Sequence, residues 1–169
     1  MRSLICKLLL ALGLFGSQQS QATTSLNYDS LILLDAEALA EQGISEAYER
    51  LLPHLKKYVK SPIKIEEQFS SEIGRYSVKA GGEAYEIYGP GIEGNEAESW
   101  GRATHAFFHI INKQIVSGDI RFYAVNNGND LGGIFLSQSA VEQSKVALKN
   151  RQDWPYLPEP TPPWYGQHH

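Results

Sequence analysis

The dipeptide Asn127-Gly128, set between Ile120, Phe122, Ala124 on one side and Leu131, Gly133, Phe135 on the other, constrains this chain more than any other feature. A two-residue type I′ hairpin turn needs positive φ at both central positions, which Asn followed by Gly supplies readily. With that pair as the turn, Ala124 meets Leu131, Phe122 meets Gly133 and Ile120 meets Phe135. Turn chemistry and apolar alternation then select the same face. A second hairpin is expected around Gly81-Gly82, where Val78 meets Tyr85 and Tyr76 meets Ile87. Strands joined by such turns are antiparallel.

Helical periodicity occupies the segments between and around the hairpins. Asp35 is a suitable N-cap for a short helix opening with Ala36-Glu37-Ala38-Leu39, after a first apolar strand or turn at Leu31-Ile32-Leu33-Leu34. Gly43 interrupts the pattern. It resumes with Ile44, Ala47, Tyr48, Leu51, Leu52, Leu55, Tyr58 and Val59, a stripe of helical period. Pro53 is expected to kink this helix or to start a new one, and Lys56, Lys57 and Lys60 suit its C-terminal end. Ile63, Ile65 and Phe69 alternate as in a half-buried strand. A long helix is expected over 96–116, with Trp100, Thr104, Phe107, Ile111 and Ile115 facing the core. A last helix is expected from Ser139, with Glu142 completing a capping box, to about Asn150. Hairpins without βαβ crossovers predict an α+β domain. Its antiparallel sheet is built from two hairpins plus one strand, with helices on one face.

The first 22 residues have the three parts of an export signal. Arg2 and Lys7 supply positive charge, residues 8–15 form an apolar run, and Ser20 and Ala22 are small residues suited to cleavage after position 22. The apolar run is shorter than the roughly 20 residues a spanning helix needs. Residues 23–169 are therefore expected to be a protein without a membrane anchor, acting in the periplasm or secreted. Cys6, the only cysteine, lies within the signal, so packing rather than disulfides must hold the domain together. The remaining 147 residues carry 13 basic against 19 acidic side chains, a formal −6. With no basic patch, nucleic acid is excluded as a partner. A single globular domain is expected over 23–152.

The tail, 153–169, differs in kind. It holds five of the eight prolines, interleaved with Trp154, Tyr156, Leu157, Trp164 and Tyr165. Such a segment runs extended and cannot be helix or central strand. It is either a strap packed on the domain or a preordered segment for docking a partner. Trp154, Tyr156, Trp164 and Tyr165 are the binding candidates it supplies, with Glu83, Glu86 and Glu93 as acidic companions suited to a basic partner.

Catalytic signatures are sparse. His105 and His109 are four apart and project from one helical face, with Glu98 and Arg102 continuing that stripe. Two histidines at this spacing can join a metal site, and with Glu98 they are the candidate catalytic and metal-binding residues of a metal-assisted hydrolase of the cell envelope. Ala106 stands where a His-Glu-x-x-His motif would place its glutamate. Gly89-Pro90-Gly91-Ile92-Glu93-Gly94 matches G-x-G-x-x-G, but Pro90 removes an N–H and Glu93 repels an anion, so it reads as a loop. Asn126-Asn127-Gly128-Asn129-Asp130 reads as turn chemistry rather than a calcium loop. No cofactor is called for.

Residues 121–158, RFYAVNNGNDLGGIFLSQSAVEQSKVALKNRQDWPYLP, resemble the C-terminal half of exported bacterial proteins. They also have the general look of small immunity proteins that neutralise antibacterial toxins. The resemblance implies a binder whose partner is another protein. Export, size, acidic charge and the aromatic tail agree with that expectation: an exported inhibitor of an envelope-acting toxin.

Overall fold

The computed structural model of the chain describes residues 26–169. The expected export signal, residues 1–22, lies outside the described residues. After a single 3-10 turn at Tyr28–Ser30 come strand β1 (Ile32–Leu33), helix α1 (Ala36–Glu41) and helix α2 (Ser45–Leu55). A three-stranded meander follows: β2 (Ile65–Ser70), β3 (Arg75–Ala80) and β4 (Glu83–Tyr88). Helix α3 (Glu96–Gln114) then leads to the hairpin β5 (Ile120–Val125) and β6 (Gly132–Ser137), and to helix α4 (Gln138–Ala147). The class is α+β, with every strand pair antiparallel. The two hairpins do not share a sheet. Each recruits its own third strand, giving sheets of order β2-β3-β4 and β1-β6-β5.

Helix α3 touches β4 in one sheet, β5 in the other, and α1. This explains why its buried face is wider than the expected stripe. Thr104, Phe107, Ile111 and Ile115 are buried as periodicity requires, but so are Ala103, Ala106, Phe108 and Ile110. A helix flanked by two sheets must be apolar on more than one side. Phe108 stacks on Phe122 of β5 with ring centroids 4.8 Å apart, and Phe122 meets Phe135 of β6 at 4.6 Å. Asn112 fixes the helix to β5 by exchanging two hydrogen bonds with the Phe122 backbone, each 2.8 Å.

The Gly81-Gly82 turn forms as expected, with φ of 58° and 85°. Ala80 pairs with Glu83 and Val78 with Tyr85, but an irregularity at Tyr76/Ser77 sets Tyr76 opposite Tyr88 instead of Ile87. The extra residue of this bulge is Ile87 of β4, which is fully buried. The second hairpin departs from expectation by two residues. Val125 pairs with Gly132 and Phe122 with Phe135, and the connection contains a 3-10 turn at Gly128–Asp130. Positive φ falls on Asn126 and Gly128, while Asn127 is extended at −153°. A shift of two leaves every side chain on its expected face, because the strand period is two.

Helix α2 stops at Leu55, with Pro53 in its last turn, so Tyr58 and Val59 lie beyond it. Tyr58 instead stacks on Phe135 at 4.7 Å. The α2 N-terminus lacks a local side-chain cap. Glu67 of β2 supplies one from a distance: its Oε1 accepts from the N–H groups of Ile44 (2.6 Å) and Ser45 (3.2 Å), and from the Tyr76 hydroxyl (2.5 Å). Asp35 caps α1 as expected, accepting from Ala38 N–H. Helix α4 is capped by Ser137 rather than Ser139, so β6 passes directly into it. Glu142 pairs with Lys145 instead of reaching back to a cap.

Candidate functional site

The polar stripe of α3, the β4 edge of the meander and the C-terminal tail meet on one side of the domain. Tyr156 joins the tail to β5 through two backbone bonds with Ala124, 2.8 and 2.9 Å, and its hydroxyl donates to Asn126 O. Nine residues later Tyr165 lies against Gly101 of α3, its ring occupying the space a Cβ there would need, and its hydroxyl donates to Glu98 O at 3.1 Å. Both tyrosines are buried, at 3% and 6% exposure. These two expected binding residues are therefore anchors of the tail rather than contacts offered to a partner. Burial of each ring removes apolar area from water, and each hydroxyl finds a carbonyl.

Between the anchors the chain turns outward. Glu159 N–H donates to Tyr165 O and Tyr165 N–H to Thr161 O, closing a proline-rich loop on itself. Leu157 and Trp164 stand at its two ends with 42% and 54% of their surface exposed. Trp164 packs against His169, the ring centroids 3.7 Å apart and the planes tilted by 37°. Trp154 is half-buried. It donates from Nε1 to Leu148 O, and Lys145, Arg151 and His168 surround its ring. Of the four tail rings singled out, Trp164 alone is largely free.

An open groove of about 520 Å³ separates residues 157–160 of the tail from His105, Phe108 and His109 of α3. The two imidazole centroids are 5.2 Å apart. Burial, and then the neighbouring His109, lower the His105 pKa below its ordinary 6.5, so this ring is neutral at pH 7. His109 Nε2 lies 3.8 Å from Glu83 Oε2 across to β4. Glu83 also accepts from Lys113 Nζ at 2.5 Å and from the Tyr85 hydroxyl at 2.7 Å. Those two donors, Lys113 first, hold its carboxyl below the usual range. Burial, with Glu83 adding to it, pushes the Tyr85 phenol well up.

Two of the three acidic candidates are paired within the domain. Glu86 makes a bidentate pair with Arg75, at 3.0 and 2.7 Å. Glu83 is occupied as described. Glu93 is exposed, and its carboxylate has no partner among the described residues; its carbonyl accepts from Arg102. Arg102 also donates to Ile87 O at 2.6 Å and pairs with Glu98 at 3.7 Å. It thus ties down both ends of the glycine-rich 89–94 loop, and the Glu98 carboxylate abuts Gly94. A negative group beside those amides opposes an anion site.

Among the described residues no three His, Cys, Asp or Glu side chains converge on one point, and Glu98 is engaged with Arg102 rather than joined to His105 and His109. No helix among the described residues is long and apolar enough to cross a membrane.

Sequence reasoning missed Leu157 and the hub formed by Glu83, Tyr85 and Lys113. The hub was hidden because its members come from β4 and α3, 30 residues apart. One local signal did exist for the tail: Gly101 inside a long helix is costly unless something approaches closely. Searches among protein-family models, curated proteins and solved structures find no match to this chain.

Proposed function

We propose that the protein is an exported binding protein that docks on another protein through the loop 157–164, most specifically an immunity-type inhibitor that occludes the cleft of an envelope-acting toxin. The observation that carries this reading is the loop itself. It is clamped at Tyr156 and Tyr165, stiffened by four prolines, and turns Leu157 and Trp164 outward. A tryptophan on a preordered loop binds with little further loss of conformational freedom. Interface hot spots are enriched in such residues and are often worth about 2 kcal/mol or more. The paired state of Glu83 and Glu86 makes this apolar edge, rather than acidic steering, the centre of the contact. Glu93 and Glu159 remain as rim charges.

The test is capture of the mature chain's partner from native envelope extract, with Trp164→Ala and Leu157→Ala beside Tyr28→Ala, an exposed ring elsewhere. One stoichiometric partner, lost with the first two variants and kept with the third, is expected, and its activity falls on complex formation. A partner that binds all three variants equally removes the loop from the interface. A partner that stays fully active in the complex rules out inhibition by occlusion.

A further inference from the structure

His105 and His109 stand one turn apart on α3, and both open into the groove whose far wall is the tail segment 157–160. Their ring centroids are 5.2 Å apart and the planes are tilted by 41°. We propose that this pair is a two-histidine site for a divalent transition-metal ion of the zinc and copper class, with the ion's remaining positions open to the groove. The inference concerns α3 itself and stands whether or not the loop 157–164 has a partner.

The spacing of the rings is what one shared ion requires. Side chains four apart on a helix lie on one face, one above the other. An imidazole nitrogen binds zinc at about 2.0–2.1 Å, which puts the ring centre about 3 Å from the ion. Two imidazoles on one tetrahedral ion are therefore about 5 Å apart, centre to centre. The pair already has that separation, so binding needs no movement of the helix.

The surroundings favour the same occupant. His105 is half-buried and forms no side-chain hydrogen bond among the described residues. His109 is held from β4 by the ring of Tyr85, 5.9 Å away, and by Glu83 Oε2, 3.8 Å from its Nε2. A carboxylate on the outer side of a ligating imidazole orients the ring and raises its basicity. That arrangement leaves Nδ1 of His109 for the ion. The nearby cations are already matched, Lys113 by Glu83 and Arg102 by Glu98. Glu159 on the facing wall adds a negative charge that suits a dication. Imidazole ligands select zinc, copper and nickel, with copper(II) the tightest, whereas magnesium and calcium require oxygen ligands.

The experiment titrates zinc alone into the mature chain, 23–169, at pH 7 and without an affinity tag. Long-range proton–nitrogen correlation follows the ring nitrogens of all five histidines. One nitrogen of His105 and one of His109 are expected to shift along a single saturation curve, and magnesium at the same concentration to shift neither. His109→Gln, a change at a half-exposed position, is expected to weaken zinc binding at His105 by about ten-fold or more. His168→Gln with His169→Gln is expected to leave the curve unchanged. In the unmodified chain, rings of His105 and His109 that stay unshifted while zinc saturates other histidines overturn the proposal, as do two rings that shift on separate curves. A His105 curve that is the same in His109→Gln also overturns it, because the two rings would then not share an ion.

Discussion

The ring of Tyr165 occupies the position that a side chain at Gly101 would take, so the tail and the central helix fit together only because residue 101 has no Cβ. This relationship reverses an ordinary rule. Alanine at an exposed helix-interior glycine stabilises by about 1 kcal/mol, through helix propensity. Here Gly101→Ala is expected to destabilise the docked tail by about 2 kcal/mol, since Tyr165 loses its site and its bond to Glu98 O. In a Tyr165→Ala background the same substitution should stabilise by about 1 kcal/mol. Urea denaturation of the four proteins of this cycle measures the coupling, and additive effects would show that the two residues do not depend on each other.

Glu67 serves a helix it does not belong to. Its Oε1 takes three donors, two of them the first amides of α2 and the third the buried Tyr76 hydroxyl. Glu67→Ala leaves the Ser45 N–H and the Tyr76 hydroxyl without this acceptor, while Ile44 N–H keeps its bond to the Tyr76 oxygen, and is expected to cost about 2–3 kcal/mol, above the usual range for one cap. Tyr76→Phe removes two bonds, the one its hydroxyl donates to Glu67 and the one it accepts from Ile44 N–H, while Glu67 still accepts from Ile44, and should cost about 1–2 kcal/mol. Gly43 allows the carboxylate its close approach: a Cβ there would meet Glu67 Oε1 at 2.7 Å. Gly43→Ala therefore should lower the denaturation midpoint. Gly74→Ala, also at positive φ but in open space, should lower it less.

The Glu83 hub has an acid signature. Its carboxyl is held below the ordinary 4.5 by Lys113 and then Tyr85. A depressed acid contributes stability fully above its unfolded value, and loses it as pH falls through the folded value. The denaturation midpoints of wild type and Glu83→Gln should therefore differ at pH 7 and converge below about pH 4.5, wild type descending toward the variant. A constant gap across that range would mean that Glu83 acts through packing and not through its charge.

What the sequence made legible were the features in which local chemistry and periodicity agree. Asp35 caps its helix, Gly81-Gly82 turns its hairpin, and the Phe107, Ile111, Ile115 face is buried. The distribution of strands between two sheets was not legible, because β2 and β1 choose their partners by tertiary packing at long range. The site was legible in part. The tail was recognisable from its prolines and rings, and its docking could have been read from Gly101. Which rings anchor and which face water depended on a contact between residues 64 apart, and no pattern within the tail separates Tyr165 from Trp164.

The turn after β5 offers the last prediction, because the two-residue turn read from Asn127-Gly128 and the longer one that forms place strain at different residues. A two-residue type I′ turn would put positive φ on Asn127 and Gly128. In the structure Asn126 has φ 59° and Gly128 φ 59°, while Asn127 is extended and bonds its own side chain to Gly128 N–H at 2.8 Å. Asparagine tolerates the left-handed region better than most residues, whereas alanine there costs about 1 kcal/mol. Asn126→Ala should therefore lower stability by about that amount, and Asn126→Gly should be close to neutral. Asn127→Ala should cost only a few tenths of a kcal/mol, the worth of one exposed side-chain bond. Thermal denaturation of the three variants distinguishes the turns. Sensitivity concentrated at Asn127 would mean that in solution the strands pair in the register two residues away.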